Sequence, residues 1–275
     1  MAGHLAHAGH RVTVYNRTAS KAKSWLASHA GRAAETPREA ALGAEAVLVC
    51  VGNDDDVRAV LFGPNGALAG MAAGSLLIDH TTASSDVARE VGSAAAKLEI
   101  GFLDAPVSGG QAGAVRGALS VMCGGSDADV ARARELFASY AKTVVHQGAV
   151  GTGQLCKMVN QICIAGVLAG LAEGLDFAVR AGLDPERVIA AIAKGAAQSW
   201  QMENRWRTMV DGKFDHGFAV DWMRKDLAIC TATADEIGAE LPITEEIEER
   251  YAEVAAMGGG RWDTSSLIAL LQREK

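Results

Sequence analysis

The pattern of apolar and polar positions changes character near residue 148. From residue 11 to about 147 one unit recurs: a short β-branched run, a turn marked by Gly or Asp, then an Ala-rich stretch with helical spacing. That alternation predicts an α/β domain with a parallel sheet flanked by helices. The predicted strands are VTVYN (12–16), AVLVCV (46–51), SLLID (75–79), FLDAPV (102–107), LSVMC (119–123) and TVVH (143–146). They are apolar nearly throughout, as strands covered on both faces are. After Gly148 the strand signals stop and helical spacing continues to the end,. Two domains follow, 1–148 and 149–275, the second all-helical. Its first helix is predicted from Gln154 to about Val179, apolar on most sides between Ile162 and Ala172. A helix of that kind packs on several faces and suits a domain connector or a subunit contact. Further on, Ile243, Ile247, Tyr251 and Val254 make an apolar stripe, with Glu245, Glu246, Glu248 and Glu249 on the solvated side,.

Composition narrows the classes. The chain has 275 residues, enough for a sizeable core, with 26 Lys+Arg against 33 Asp+Glu and a net charge of -7. It lacks the clustered basic stretch that a phosphate-backbone binder needs, so no nucleic-acid partner is expected. Cys50, Cys123, Cys156, Cys163 and Cys230 are widely spaced and odd in number, which fits a reducing, cytoplasmic setting,. The longest uninterrupted apolar run, Ile162 to Ala172, is 11 residues, against the roughly 20 required to cross a bilayer,. No membrane span and no signal peptide are expected.

Several motifs carry candidate chemistry. The first predicted strand ends in Asn16-Arg17-Thr18. In a dinucleotide-binding sheet the end of the second strand holds an acid for the ribose 2′-hydroxyl or an Arg for a 2′-phosphate, so this position is either an NADP(H) contact or a surface Arg in a turn. The Gly-rich turn GxGxxG that should precede such a strand is absent, and the chain opens on Met1-Ala2-Gly3-His4-Leu5, like the middle of the helix after that turn,. Ser108-Gly109-Gly110 follows FLDAPV, where two glycines let a carboxylate approach backbone N–H groups, with the Ser108 hydroxyl as a further donor; a flexible turn is the other reading,.

Gly151-Thr152-Gly153 opens the long helix, and Lys157, Asn160 and Gln161 follow at i, i+3 and i+4, on one face,. A lysine held in an apolar cleft can exchange a proton with a substrate oxygen, whereas one on an open helix face snorkels to water. Lys225 shares a helical face with Phe218, Trp222 and Ile229, as a snorkelling residue or an anion contact,. Three further signals have simpler explanations. His4, His7 and His10 lack a ligand cluster, so no metal is expected. Asp54-Asp55-Asp56 suits a helix start. Gly124-Gly125-Ser126-Asp127 suits a turn with an N-cap.

Together, AGHRVTVYNRTASKA (8–22), IDHTTAS (78–84), FLDAPVSGGQAGA (102–114), GTGQLCKMVNQ (151–161), MRKDL (223–227) and WDTSSL (262–267) make the whole chain resemble the β-hydroxyacid dehydrogenase family, which includes 3-hydroxyisobutyrate dehydrogenases and semialdehyde reductases. The resemblance implies a Rossmann-type domain, here without its first strand, followed by an all-helical domain, with the active site in the cleft between them and homodimers or homotetramers formed through the helices. It implies Lys157 as the general acid in carbonyl reduction, and Ser108, Gly109, Gly110, Asn160 and Gln161 as substrate contacts. Gln161 stands where several members carry a second amide. Asn16, Arg17 and Thr18 match the 2′-phosphate site, Val51-Gly52 stands where Leu-Pro is common beside the cofactor, Thr82 matches the threonine near the nicotinamide, and Lys225 the lysine that closes over cofactor and substrate.

The expected activity is interconversion of a small carboxylate-bearing hydroxy acid and its semialdehyde with NADP(H), NAD(H) being possible. An imine reductase on the same scaffold is the nearest rival, against which Lys157 argues. A non-catalytic dimerisation scaffold is the other, which the missing pyrophosphate turn favours,.

Overall fold

A computed structural model describes residues 1–272, so the last three residues of the domain read as 149–275 lie outside the described residues. The chain divides into two compact units, Met1–Lys157 and Met158–Lys275. In the first, α1 (Ala2–His7), β1 (Thr13–Val14), α2 (Ala19–Leu26), β2 (Arg32–Ala33), α3 (Pro37–Ala41) and β3 (Ala46–Val49) come in that order. Next are α4 (Asp54–Leu61), β4 (Leu76–Asp79), α5 (Ser85–Ala96), β5 (Gly101–Asp104), β6 (Val107–Ser108) and α6 (Gly110–Arg116). The unit continues through β7 (Leu119–Gly125), α7 (Asp127–Ala138) and β8 (Ala141–Gly148) into α8 (Thr152–Arg180), which runs on into the second unit.

All six strands expected from the sequence are present, with two differences of detail. FLDAPV is broken into β5 and β6, because Pro106 has no N–H to give the ladder,. The two-residue β2 was not foreseen; Arg32 and Ala33 are both exposed and make no apolar run. The sheet is also divided. β1 and β2 pair in parallel only with each other, while β3, β4 and β5 run parallel in a six-stranded sheet in which β7 lies antiparallel to β5 and β6 and parallel to β8. The strand and Gly-rich turn looked for ahead of residue 12 are not among these residues, and α1 stands there instead.

Helix starts follow ordinary capping chemistry. Asn53, Ser84 and Ser126 accept from the N–H three residues on, at the heads of α4, α5 and α7,. The larger sheet is buried on both faces: Leu77 packs with Val57, Leu61 and Val87 on one side, and its neighbours Leu76 and Ile78 with Leu103, Val121 and Phe137 on the other,. The carboxyl ends of β3 and β4 therefore project two loops, 50–53 and 80–84, from a rigid base.

The second unit contains the rest of α8, then α9 (Pro185–Ile192), α10 (Trp200–Val210), α11 (Val220–Ile237), α12 (Pro242–Ala256) and α13 (Ile268–Leu271). Its core includes Leu168, Leu175, Met209, Met223, Leu227, Ile247, Tyr251 and Val254. Two expected stripes shift. Ile243, in the first turn of α12, is 64% exposed, although Ile247, Tyr251 and Val254 of the same stripe are buried. On α11 the buried line is Val220, Met223, Asp226, Leu227, Cys230 and Ala234, since the helix begins only at Val220; Phe218 precedes it and Trp222 is exposed.

Helix α8 is long and apolar enough, by length and composition, to cross a membrane, although its uninterrupted apolar run is short. Counting a run stops at each polar residue; a helix tolerates Glu173 or Asp176 on one side. A core helix passes the same test, and Ala165, Leu168, Ala172 and Leu175 of α8 are buried in the unit's own core. A third of that apolar window is buried within the chain.

Candidate active site

The start of α8 is built around a buried carboxylate. Asp104, at the end of β5 and fully buried, accepts from the Gly151 N–H at 2.8 Å and the Gln154 N–H at 2.9 Å, satisfying donors that a helix leaves unpaired at its head,. Burial pushes the Asp104 carboxyl up, against those hydrogen bonds, which hold it down,. The Gly-x-Gly sequence has a steric cause. A Cβ on Gly153 would come within 2.4 Å of the Asp104 carbonyl oxygen and 2.7 Å of that of Met122, and one on Gly124 of β7 within 2.8 Å of the Gly153 nitrogen. Helix and sheet approach so closely that only glycine fits. One turn further along α8, Lys157 is buried, 7% exposed.

Gln154, 1% exposed, ties this turn to the loop after β4. Its side-chain oxygen accepts from the Ala83 N–H at 3.1 Å, and its side-chain nitrogen donates to the Thr81 carbonyl at 2.8 Å. Those two peptide groups flank half-buried Thr82. The Thr81 hydroxyl in turn accepts from the Val51 N–H at 3.1 Å, so the loop carrying Val51 and Gly52 is joined to the loop carrying Thr82. Ser84 doubles the link, its N–H and hydroxyl both donating to the Asp54 carboxylate.

Beneath them Asp79 accepts from the Thr81 N–H at 2.9 Å, and burial raises its carboxyl to about 7. His80 is fully buried too, its Nδ1–H donating to the Ala105 carbonyl and its Nε2 accepting from the Tyr140 hydroxyl; burial lowers it to about 4, so the ring is neutral.

Ser108 closes β6, paired with Ser120 of β7. The exposed glycines after it hold φ of +126° at Gly109 and +59° at Gly110, which L side chains rarely adopt,. Strand β7 thus carries both the partner of the serine turn and, at Gly124, the close contact with α8. Asn16 folds its side chain onto the Thr18 N–H at 2.9 Å, making the turn that presents Arg17,. The Arg17 side chain is 84% exposed and pairs with Asp56 at 3.0 Å. Only one of its guanidinium nitrogens is so engaged, which leaves donors facing outward for an anion,. An exposed arginine after β1 is the type of group that meets a 2′-phosphate in a dinucleotide-binding sheet, whereas the Gly-rich turn that would hold the pyrophosphate is not among the described residues,.

In the second unit Gln161 is buried, with its nitrogen donating to Asp226 at 2.6 Å and its oxygen accepting from the Asn160 amide at 2.7 Å. Both amide atoms of Gln161 therefore already have protein partners. Lys225 pairs with Asp226 at 2.8 Å. Among the described residues no group of three or more His, Cys, Asp or Glu could hold a metal ion.

The sequence reading passed over Asp79, Thr81, Asp104, Gln154 and Asp226. A signal existed for three of them: an acid within or at the end of an otherwise apolar segment is buried only with partners.

Comparison with known proteins identifies the family. Residues 1–148 match the family model described as the NAD binding domain of 6-phosphogluconate dehydrogenase. Residues 151–271 match the NAD-binding domain of NADP-dependent 3-hydroxyisobutyrate dehydrogenase. An uncharacterized oxidoreductase from Shewanella frigidimarina is 56% identical over all of this chain and 94% of its own length. A probable 3-hydroxyisobutyrate dehydrogenase-like protein of Arabidopsis thaliana is 39% identical over 99% of this chain and 81% of its own. A solved 3-hydroxyisobutyrate dehydrogenase from Salmonella typhimurium, 32% identical, superposes over 98% of this chain and 94% of its own with a TM-score of 0.87. The chain belongs to the 3-hydroxyisobutyrate dehydrogenase, or β-hydroxyacid dehydrogenase, family of NAD(P)-dependent oxidoreductases.

Proposed function

We propose that this protein is an NADPH-preferring reductase of short aldehyde acids, acting also in the reverse, hydroxy-acid direction, with Lys157 as the proton donor. The observation that carries the reading is the placement of Lys157: a buried ammonium on a helical turn whose start is fixed by Asp104 and whose neighbour Gln154 holds the Thr82 loop. A buried titratable side chain at the turn that holds such a loop is the kind of group active sites use for proton transfer.

In this reading the N–H groups of the Ser108-Gly109-Gly110 turn and the Ser108 hydroxyl hold the substrate carboxylate, and Asn160 supplies an amide on the same helix face as Lys157. Arg17 takes the 2′-phosphate, and Thr82 and the Val51-Gly52 backbone border the nicotinamide. The nicotinamide, when bound, supplies the hydride. Lys157 hands a proton to the carbonyl oxygen as negative charge builds there, and takes it back from the alcohol in reverse. Gln161, its amide held between Asp226 and Asn160, orients Asn160.

The test is Lys157→Ala assayed with glyoxylate and with succinic, methylmalonate and tartronate semialdehydes. General acid catalysis is worth about 10² to 10⁴ in rate, and turnover should fall by that factor while NADPH affinity, read by fluorescence, changes little. Near-full turnover of the variant overturns the assignment. Failure of the unaltered protein to bind millimolar NADPH would favour a non-catalytic scaffold.

We further propose self-association through α8. Val159, Cys163, Val167, Gly170, Gly174 and Phe177 form one exposed stripe along it, Phe177 being 71% exposed, and a Cβ on Gly166, Gly170 or Gly174 would meet nothing within 4 Å.

A further inference from the structure

We infer that Gln154 is a positioning residue that fixes Lys157 in register with the Thr82 loop, an inference that rests on the reductase reading above. Asp104 already holds the head of α8 through two backbone N–H groups, and the Gly124–Gly153 approach seats the helix on the sheet. Neither contact reaches the loop after β4. The Gln154 side chain does, and it uses both ends of its amide to do so, one on the peptide group before Thr82 and one on the peptide group after it. The backbone of Thr82 is thereby held from both sides by a single buried side chain.

Gln154 and Lys157 are three residues apart in the same helix, about 4.5 Å along its axis and on adjoining faces,. The distance between the proton donor and the loop said to border the nicotinamide is therefore set by this amide. Through Thr81 the same set of hydrogen bonds extends to Val51, so the two loops and the helical turn are linked. An alternative in which Gln154 merely fills space fails on chemistry, since an apolar side chain there would leave the Thr81 carbonyl and the Ala83 N–H without these partners. A misplacement of about 1 Å at a reacting centre costs on the order of 10²-fold in rate, which sets the size of the effect.

The experiment compares Gln154→Ala and Gln154→Met with the unaltered protein and with Lys157→Ala. Four readouts are taken: kcat and KM for the best semialdehyde, NADPH affinity by fluorescence, the kinetic isotope effect with 4-deuterated NADPH, and amide hydrogen exchange over residues 81–83. For Gln154→Ala we expect kcat to fall about 10- to 100-fold with KM and NADPH affinity within about threefold, a larger isotope effect, and faster exchange at Ala83. Gln154→Met keeps the length of the side chain but neither hydrogen bond, and should lose kcat by about as much as the alanine variant; it decides the question alone if the alanine variant does not fold. A kcat within threefold of the unaltered protein despite faster exchange at Ala83 overturns the proposal. So does a parallel loss of kcat and NADPH affinity, which would make Gln154 a general support of the fold. If Lys157→Ala stays active, the reductase reading falls and the positioning role with it, while the exchange at Ala83 separately reports whether the bridge exists.

Discussion

Asp79 and His80 are consecutive, both fully buried at the end of β4, and shifted in opposite directions, so their contributions to stability oppose each other over one pH range. Asp79 rises from 3.8 to about 7 through burial, partly offset by its hydrogen bonds from Thr81. Between those values the folded protein keeps a proton that the unfolded chain has released, so Asp79 makes stability fall as pH rises. His80 falls from 6.5 to about 4, again through burial. Between those values the unfolded chain carries the extra proton, so His80 makes stability rise with pH. Each proton is worth about 1.4 kcal/mol per pH unit, which gives roughly 4 kcal/mol for Asp79 and roughly 3 kcal/mol for His80 over their full ranges. The two slopes cancel between about pH 4 and 6.5.

Asp79→Asn keeps an oxygen for the Thr81 N–H and removes the titration; the Thr81 hydroxyl, which also bonds the Asp79 carboxyl, loses an acceptor, and that loss does not vary with pH. Measured by urea unfolding at several pH values from 4.5 to 8, the stability of the variant relative to the unaltered protein should climb by about 1.4 kcal/mol per unit up to pH 7 and then level off. A difference that does not vary with pH, or that falls as pH rises, would refute both the burial argument and the protonated carboxyl it implies beneath the Thr82 loop.

Two further outcomes follow from the surface. Arg17→Ala should weaken NADPH binding by about tenfold, the low end for a charge-assisted contact because the side chain is so exposed, and leave NADH unchanged; Asp56→Asn, which removes the competing carboxylate at 3.0 Å, should tighten NADPH by about two- to fivefold,. Equal losses for both cofactors in fluorescence titrations would show that Arg17 does not read the 2′-phosphate. On α8, Gly170→Glu together with Phe177→Glu places two charges in the exposed stripe and should yield monomers in sedimentation at a concentration where the unaltered chain associates; an unchanged sedimentation profile counts against association through this helix,.

What could be read from the sequence, and what could not, divides along a physical line. Periodicity located the strands and α8 because a buried strand must be apolar and a helix must show its spacing, and it missed β2 because two exposed residues carry no such pattern. Motif spacing singled out Lys157, Ser108, Gly109 and Arg17 because each sits where backbone geometry, a glycine turn or a strand end, leaves a local trace. The residues that connect them leave no trace of their partners. Nothing local to Gln154 says that its amide reaches back 71 positions to Ala83, nor to Asp104 that it caps a helix 47 positions on. Position 161 shows the limit most plainly: its spacing from Lys157 is that of a substrate contact, yet its amide is engaged by Asp226, 65 residues away, and by its neighbour Asn160.

Groups that touch a ligand are chosen by chemical type, so they can be read one at a time. Groups that hold them are chosen by distance to something else. Here the second class is made almost entirely of buried acids and amides, Asp79, Asp104, Gln154, Gln161 and Asp226, each costly to bury unless paired,. That cost is the one trace they leave in a bare sequence: an acid or amide standing where periodicity demands an apolar residue marks a junction, and in this chain Asp104 and Gln154 are such junctions, at the head of the helix that carries Lys157.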